Sequence, residues 1–384
     1  MTAAQRTAGL LEGWFPSAAR PLPWRTNTHD PGQVRDAWGT LVAEVMLQQT
    51  QVSRVVPAWL AFMARFPTPG ALARAQEEEA LAAWSGLGYY RRARLLHAAA
   101  LRIVAEHHGL TPTDPRALRA LPGVGRYTAG AVASIAAGAP AAIVDGNVLR
   151  VLARLHARPG AAGWAPLVRW AWAQSERLVA AASRPGVCNE AIMELGATVC
   201  TPAAPACVRC PLAGQCRARA LGAPERFPAP KARAARTDLH ALALVLRDAS
   251  GRVLCQRRAP GGLWGGLWQA ATLESAAPID DAGAHAWARM RGAGAGVRPL
   301  GGFVWLTTHR RVRFRVWGGA GVCCLRRRAA QSAASPAAPP TRWVSPAELA
   351  QLPMGSAQRR VFELAGVGAA DPRPAAAQPR GPLP

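Results

Sequence analysis

The chain has 384 residues, with 46 Lys and Arg against 22 Asp and Glu, which gives a formal net charge of +24. This length exceeds what one hydrophobic core usually organises, so we expect two or more domains. The charge predicts a polyanionic partner, namely nucleic acid; a genome rich in G and C does not explain it, because exchanging Lys for Arg leaves the charge unchanged. We find no apolar run of membrane-spanning length and no apolar leader in MTAAQRTAGLLEGWF, and therefore expect a soluble cytoplasmic protein.

Residues 1–225 predict a mainly α-helical region. Ala- and Leu-rich segments with helical apolar spacing alternate with Pro and Gly, and we identify no strand among them. Glu44 lies in one such segment, LVAEVML, where burial of the carboxyl would raise its pKa. Taken alone, Glu44 could equally be the partner of a cation, and Tyr89 and Tyr90 in GLGYYRRA could be ordinary amphipathic packing.

A Gly-rich turn between two predicted helices follows in the segment LPGVGRYTAG. Thr113 or Asp114 can cap a first helix that begins at Pro115, and a second helix is expected to begin near residue 126. The backbone N–H groups around Gly123 and Gly125 lie next to a helix N-terminus, an arrangement that suits a DNA phosphate. We therefore predict a helix-hairpin-helix.

Asp145 comes next, directly before the predicted helix NVLRVLARL, and taken alone it is an N-cap. Four cysteines with the spacing C-x6-C-x2-C-x5-C then indicate a metal or iron-sulfur centre, because a reducing cytosol disfavours disulfides. Zinc and a 4Fe-4S cluster both accept four sulfurs, and the spacing does not decide between them. The four are Cys200, Cys207, Cys210 and Cys216; the scattered Cys188, Cys255, Cys323 and Cys324 are expected to be small buried hydrophobes.

The apolar period changes to two from Thr237 onward. LHALALVLRD, a turn at 248–251 and RVLCQRR predict a β-hairpin that opens a second domain. We assign residues 1–225 to the helical region, 226–237 to an exposed linker, 238–366 to the second domain and 367–384 to a disordered tail.

The helix-hairpin-helix, the following Asp145 and the four-cysteine loop together resemble the endonuclease III and MutY superfamily of DNA glycosylases. LPWR, EVMLQQTQV and GLGYYRRA are similar to its MutY branch, and residues 237–365 resemble, more weakly, the Nudix-like domain of that branch. The resemblance implies a mainly α glycosylase region with a helix-hairpin-helix module and an iron-sulfur module, followed by an α+β Nudix-like domain. It also implies a 4Fe-4S cluster on the loop at 200–216 and, as partner, double-stranded DNA with A:8-oxoguanine or A:G mispairs, bound by a monomer.

Release of adenine requires an acid that protonates the leaving base and an anion that stabilises the positively charged sugar. The resemblance implies Glu44 as the general acid and Asp145 as the anion near C1′, which Asn147 would orient. Arg25, in LPWR, would contact the adenine. Glu190, in CNEAIMELG, matches a further family acid near the extruded base, with a solvated helix face as the alternative.

Tyr127 occupies the position where strand-cutting relatives carry a Schiff-base lysine. A phenol cannot form that adduct, so we expect a monofunctional enzyme in which Tyr127 supports Glu44 or Asp145 by a hydrogen bond. Extrusion of the adenine leaves a gap in the duplex that something must fill. Gln48 and Tyr89 match family positions that insert around the opposing 8-oxoguanine, where an aromatic ring can stack on bases.

The C-terminal domain resembles a Nudix fold in LWGGLWQ and RVRFRVW. The acids that follow LWGGLWQ most closely are Glu274, Asp280 and Asp281, without the clustered glutamates that hold Mg²⁺ in Nudix hydrolases, so we expect no nucleotide hydrolysis. One strand face is predicted to carry three arginines that either meet phosphates or are solvated: Arg311, Arg313 and Arg315.

Three departures from the family pattern bear on function. The loop that usually carries Phe-Ser-His reads Thr307-Thr308-His309, so Thr308 keeps the hydroxyl but the aromatic ring is absent. The segment TPAAPA after Cys200 has no basic residue, and the segment after Arg25 is longer than usual. Three alternatives remain open: a bifunctional glycosylase and lyase, a Nudix hydrolase of free nucleotides, and a catalytically silent DNA-binding iron-sulfur protein.

Overall fold

The computed structural model describes residues 1–25, 35–230, 235–321 and 340–368. These residues form two compact units, the first made of 1–83 and 89–230 and the second of 84–88 and 235–368. Cys323, Cys324, part of the segment between Arg25 and Glu44, and residues 369–384 of the predicted tail lie outside the described residues. No helix in the described parts of the chain is long and apolar enough to cross a membrane.

The first unit is built from helices, as the sequence predicts, and its described residues contain no β-strand. The α-helices are α1 Ala3–Ala18, α2 Ala37–Leu47, α3 Val52–Arg65, α4 Pro69–Arg74, α5 Glu77–Ala83, α6 Arg91–His107, α7 Pro115–Ala120, α8 Arg126–Ala137, α9 Gly146–Leu155, α10 Ala165–Ala180, α11 Pro185–Thr198 and α12 Arg217–Ala220. Short 3-10 helices span Pro23–Arg25, Cys207–Arg209, Ala213–Gln215 and Pro224–Arg226.

The predicted helix-hairpin-helix is formed by α7 and α8. Asp114 caps α7, because its side chain accepts hydrogen bonds from the N–H groups of residues 116 and 117 at 2.9 and 3.0 Å. Such a cap stabilises a helix by about 1 kcal/mol. Gly130 lets α8 pack against the segment before α9, since a Cβ atom there would lie 2.2 Å from the carbonyl oxygen of Ala142.

The core of this unit joins the helices that carry the candidate chemistry. Leu11 and Phe15 of α1, Leu152 of α9, Leu167 of α10 and Leu195 of α11 all belong to one buried cluster. Each such side chain contributes roughly 2 kcal/mol by leaving water. The first residues of α9, including Asp145 before it, are thereby fixed relative to α11.

The second unit is a six-stranded sheet flanked by helices. Its elements are β1 Thr237–Arg247, β2 Val253–Arg257, β3 Trp268–Ser275, α13 Asp281–Met290, β4 Arg298–Leu306, β5 Arg310–Ala320, β6 Thr341–Val344, α14 Pro346–Gln351 and α15 Ser356–Leu364. The strand order is β4-β5-β1-β3-β2-β6, with β1 parallel to β5 and the other neighbouring pairs antiparallel. This is the expected α+β arrangement.

The alternation of Leu and Ala along β1 reflects a strand that is buried on both faces. Leu242 and Leu244 pack with Trp287 of α13, whereas Ala243 and Val245 belong to the core that includes α15. Because both faces of this strand are covered, neither face is polar. The alternation along β1 is therefore between large side chains on one face and mostly small ones on the other.

Three sequence predictions need correction. The predicted turn forms at Asp248, but β1 and β2 pair only at Arg247 and Val253, because β3 lies between the two strands over the rest of their length. The predicted linker begins too early, since the Ala229 N–H donates to the Gly160 carbonyl of the first unit at 2.9 Å. The tail begins too early as well, because Val367 is buried in the core of the second unit.

Candidate active site

Glu44 is held inside the first unit by its helix. The side chain of Asp36 caps α2 by accepting hydrogen bonds from the N–H groups of Trp38 and Gly39 at 3.0 and 2.8 Å. Residues 38–46 of α2 are all buried, and Glu44 itself is 7% exposed. An apolar helix with one acid in its interior therefore places a carboxyl where it has little contact with water.

The pKa of Glu44 is raised to about 7, mainly by burial and in addition by the nearby carboxyls of Asp145 and Glu190. A hydrogen bond with Tyr127 and the charge of Arg25 act in the opposite direction. Of the ion pairs formed by the described residues, none includes Glu44. The structure therefore does not support the alternative in which Glu44 pairs directly with a cation.

Tyr127 lies in the first turn of α8. Its hydroxyl hydrogen-bonds to Glu44 and lies 3.1 Å from Sδ of Met193. Burial, reinforced by the charges of Glu44 and Asp145, raises the pKa of Tyr127 well above its usual value, so the phenol stays protonated. The effect of Tyr127 on the pKa of Glu44 is the one expected of a hydrogen-bond partner of the candidate acid.

Asp145 is both an N-cap and a member of this group. One oxygen, Oδ1, accepts a hydrogen bond from the Val148 N–H at 2.7 Å, and Oδ2 accepts one from Nδ2 of Asn147 at 3.0 Å. Burial raises the pKa of Asp145, while these hydrogen bonds and the charge of Arg150 lower it. The cap that the sequence favours and the orienting contact expected of Asn147 therefore occur together.

Glu190 is buried, at 3% exposed, and does not lie on a solvated helix face. Its Oε1 is 3.1 Å from Nε of Arg25, and its Oε2 is 2.7 Å from an Nη atom of Arg35. One turn later on α11, Glu194 is 2.9 Å from Arg25 and 2.6 Å from Arg20. Arg25 is thus held between two buried carboxylates beside Glu44.

Sequence reasoning missed Glu194, Arg20 and Arg35. The available signal for Glu194 is its position four residues after Glu190, which puts both carboxyls on one side of α11. The two arginines have no comparable pattern, since they reach these acids only through the packing of distant segments.

Gln48 and Tyr89 occupy the ends of neighbouring helices. Gln48 ends α2 as its C-cap, and its side-chain amide donates to Oγ1 of Thr128 at 3.3 Å. Tyr89 precedes α6 and is 48% exposed.

Gly123 and Gly125 are exposed in the hairpin, where Gly123 has a φ of 78° and Gly125 is the N-cap of α8. The start of α8 therefore lies at the surface, as a phosphate site requires.

The four clustered cysteines line one cavity at the end of α11. Its empty space, counting the part open to solvent, is about 300 Å³, and Arg154 and Arg219 also line it. No group of three or more His, Cys, Asp or Glu side chains in the described ranges is arranged to hold a metal ion. Cys200, Cys207, Cys210 and Cys216 thus lie around one cavity, where the sequence predicts a metal or iron-sulfur centre.

The buried side chain of Arg154 lies against the segment TPAAPA. It is 2% exposed and donates to the carbonyl oxygens of Thr201 and Pro202 at 2.7 and 2.8 Å. One of its Nη atoms is 3.4 Å from Sγ of Cys200. The guanidinium comes from α9, outside the loop, which is why the loop sequence gave no sign of it.

Cys188 and Cys255 are buried as expected, and burial raises the pKa of each thiol to about 12.

In the second unit, Thr308 lies in the turn between β4 and β5. Thr307 shapes that turn, since its Oγ1 accepts from the N–H of Arg310 at 2.8 Å. The strand face that carries arginines is exposed as predicted, and two of its members lie near one acid: Arg311 and Arg313 are 3.7 and 3.6 Å from Asp238.

The three acids after LWGGLWQ have local partners. Glu274 is 2.7 Å from Arg258, Asp281 pairs with Arg315, and Asp280 caps α13 by accepting from the Gly283 N–H at 2.8 Å. Their carboxylates are therefore distributed over separate contacts instead of forming one group.

Known protein families match both parts of the chain. A family model described as HhH-GPD superfamily base excision DNA repair protein matches residues 42–163, and one described as NUDIX domain matches residues 242–364. A thermostable thymine-DNA glycosylase of known structure is similar over 56% of this chain and 95% of its own, with 24% identity and a TM-score of 0.48.

Two relatives named adenine DNA glycosylase show the family. The chain is 46% identical over 213 residues to the adenine DNA glycosylase of Homo sapiens, which covers 55% of this chain and 39% of that protein. It is 45% identical over 248 residues to the adenine DNA glycosylase of Mycolicibacterium smegmatis, which covers 62% of this chain and 80% of that protein. The chain thus spans less than half the length of the human relative and most of the mycobacterial one. It belongs to the adenine DNA glycosylase family, with a helix-hairpin-helix glycosylase region followed by a Nudix-like domain.

Proposed function

We propose that this chain is a monofunctional DNA glycosylase that hydrolyses the N-glycosidic bond of adenine mispaired with 8-oxoguanine or guanine and leaves an abasic site. The observation that carries the proposal is the buried carboxyl of Glu44, with a pKa of about 7, hydrogen-bonded to Tyr127 and close to Asp145. We propose adenine as the released base because these relatives are named adenine DNA glycosylase.

Glu44 acts as the general acid. A carboxyl with a pKa of about 7 is half protonated near neutral pH, and a catalytic acid is most effective when its pKa lies near the working pH. Protonation of a ring nitrogen turns adenine into a neutral leaving group, so the C1′–N9 bond can break without forming an adenine anion.

Asp145 acts on the sugar. As the bond to adenine lengthens, positive charge develops on the sugar, and a nearby carboxylate either stabilises it or adds to C1′ before water does. The hydrogen bonds from Val148 and Asn147 favour the charged form of Asp145 and fix both of its oxygens. Asn147 is therefore a positioning residue for Asp145.

Tyr127 limits the reaction to base release. Strand cleavage through a Schiff base needs an amine at the sugar, and Tyr127 offers a phenol whose proton is retained. Its role is to hold the Glu44 carboxyl by a hydrogen bond. The abasic site then remains as the product until alkali or another enzyme cuts the strand.

Arg25 and Glu190 form the wall that would receive the base. Their direct ion pair, at 3.1 Å, offers N–H donors and carboxylate acceptors side by side, which is the combination that an aminopurine edge requires. Glu194 and Arg35 hold the two side chains in place. This ion pair supports a role for both residues in recognising the adenine.

We assign the cysteine-lined cavity to a 4Fe-4S cluster bound by Cys200, Cys207, Cys210 and Cys216. Four cysteines with this spacing accept zinc as well, and the choice of a 4Fe-4S cluster rests on the resemblance to the endonuclease III and MutY superfamily. When bound, the cluster would supply iron-thiolate bonds that cross-link the loop. The buried Arg154 beside Cys200 suits an anionic thiolate assembly.

The DNA partner is a duplex bound by a monomer. The net charge of +24, the exposed hairpin N–H groups at Gly123 and Gly125, and the positions of Gln48 and Tyr89 support a surface that bends and opens the duplex. Gln48 and Tyr89 would fill the gap around the base opposite the extruded adenine. We call these two residues the wedge.

The Nudix-like domain would read the lesion opposite adenine through the turn that carries Thr308. The hydroxyl of Thr308 can still hydrogen-bond to a modified purine, but no aromatic side chain stands before it. Hydrolysis of free nucleotides is disfavoured because Glu274, Asp280 and Asp281 are each engaged with a different partner.

Single-turnover cleavage of A:8-oxoguanine, A:G and A:C duplexes, followed by alkali, tests the function. We expect adenine release fastest from A:8-oxoguanine and slowest from A:C. Thr308→Ala should reduce the ratio of the A:8-oxoguanine rate to the A:G rate by about threefold, the value of one modest hydrogen bond. Equal release from all three duplexes by the wild-type protein would contradict the proposed substrate.

A further inference from the structure

The wedge residues Gln48 and Tyr89 belong to different helices but share one neighbour, Arg92, in the first turn of α6. An Nη1 atom of Arg92 lies 2.8, 2.9 and 2.6 Å from the carbonyl oxygens of Val45, Met46 and Gln48. These carbonyls end α2, where the last turn has no intrahelical donors and a cation is favourable.

The second half of the guanidinium continues past the helix end. Its Nη2 atom donates to Oγ1 of Thr50 at 3.0 Å, and its carbon atom lies 5.4 Å from the centre of the Tyr89 ring, within cation–π range. Arg92 thus contacts the residue before Gln49, the residue after it, and the ring of Tyr89.

Backbone conformation sets these positions apart. Gln49 and Tyr89 have φ values of 55° and 48°, in the left-handed region that residues with side chains rarely adopt. Such a conformation persists when the surroundings fix it, and it is found most often at sites of function. Arg92 brackets Gln49 and touches Tyr89, so it is the side chain placed to fix both.

A helix can end without a buried arginine such as Arg92. A glycine closes a helix without placing a charge in the interior, whereas Arg92 is 9% exposed and burial lowers its pKa to about 10. The side-chain amide of Gln48, by contrast, has a single hydrogen bond to the described part of the chain, at 3.3 Å to Thr128, so that the amide can exchange this partner for DNA while the backbone stays in place.

We propose that Arg92 is a positioning residue that holds Gln48 and Tyr89 in a fixed mutual position, so that both enter the duplex together when adenine is extruded. The inference rests on the proposed function, because it assumes that these two residues form the wedge. Arg92 itself would contact neither the adenine nor the sugar.

The test compares Arg92→Met with Arg102→Met, which removes an exposed arginine from the same helix and therefore controls for lost charge. Duplexes carry 8-oxoguanine opposite either adenine or 2-aminopurine, whose fluorescence rises when the base leaves the stack. For Arg92→Met we expect about a tenfold loss in the excision rate and in the fluorescence change, with duplex affinity within about threefold of wild type. Arg92→Lys, which keeps the charge but not the planar fork, should recover only part of the loss.

A second variant keeps the test decisive if Arg92→Met does not fold. Thr50→Val removes one acceptor of Arg92 without removing the buried cation, and we expect a threefold smaller fluorescence change, roughly the loss of one hydrogen bond. A fluorescence change equal to that of Arg102→Met in folded Arg92→Met, or equal to wild type in Thr50→Val, would overturn the inference. If wild type extrudes 2-aminopurine but releases no adenine, the proposed function fails and the fluorescence comparison still decides the role of Arg92; if it extrudes nothing, both fail.

Discussion

The Tyr127 hydroxyl hydrogen-bonds to the Glu44 carboxyl and thereby opposes the rise in the pKa of Glu44 that burial causes. The two effects together leave the acid near neutrality, at about 7, instead of fully protonated. The hydrogen bond thus makes Tyr127 a regulator of the acid on which the proposed reaction depends.

The first prediction concerns the pH dependence of adenine release. Only protonated Glu44 can donate, so the single-turnover rate should fall as the pH rises through about 7. On the acid side the rate should fall as Asp145 becomes protonated, because the sugar cation then loses its counter-charge. Rates measured across the acid and alkaline ranges should give a bell-shaped profile. A rate that keeps rising above pH 8 would exclude Glu44 as the acid.

Tyr127→Phe should move the basic limb of that profile to higher pH. The hydrogen bond lowers the pKa of Glu44, so its removal raises that pKa and keeps the acid protonated further into the alkaline range. Met193→Leu is the matched control, since it removes the other contact of the hydroxyl and leaves the bond to Glu44. An unmoved basic limb in Tyr127→Phe would show that the bond does not tune the acid.

Glu44→Gln should stabilise the fold more as the pH rises. The pKa of Glu44 is about 7 in the folded protein and about 4.5 without burial, so its favourable contribution is complete below pH 4.5 and is lost as the pH passes 7. Above that pH the ionised carboxyl costs about 3 kcal/mol, which a neutral amide does not incur. Thermal unfolding at pH 5 and pH 8 measures the difference; the exposed Glu106→Gln should show none. An equal effect of Glu44→Gln at both pH values would contradict the raised pKa.

Cys210→Ser should lose most of the bound iron and acid-labile sulfide, whereas Cys188→Ser should retain both. The first cysteine lines the cavity with the other three, and the second is buried in the core away from it. Iron and sulfide analysis of the purified proteins, with zinc measured alongside, is the test. Stoichiometric zinc without sulfide in the wild-type protein would replace the cluster with a zinc site.

Local patterns predicted the parts of the site that depend on local structure. Asp145 sits before a helix and Glu44 lies within an apolar one, and both positions follow from segments of a few residues. The same is true of the hairpin that Asp114 caps. Where fold and function demand the same residue, as at Asp145, the capping and catalytic interpretations do not compete.

Contacts made between distant segments could not be predicted. Arg154 reaches the cysteine loop, and Arg35 reaches Glu190, only after several helices have packed. The same limit explains why the predicted β-hairpin is paired only at its turn: Asp248 gives a local turn signal, but the insertion of β3 between β1 and β2 depends on pairing across the whole sheet. Such pairings leave no pattern within any short segment of the sequence.

The most direct test of the central claim is single-turnover excision from an A:8-oxoguanine duplex, analysed with and without alkali, by the wild-type protein, Glu44→Gln and Asp145→Asn. Cut strands should appear for the wild type only after alkali, and each variant should be slower by about a thousandfold or more while duplex affinity stays within about threefold. Asparagine is a good N-cap, so Asp145→Asn should remain folded. Excision at the wild-type rate by either variant, or strand cutting by the wild type without alkali, would contradict the account.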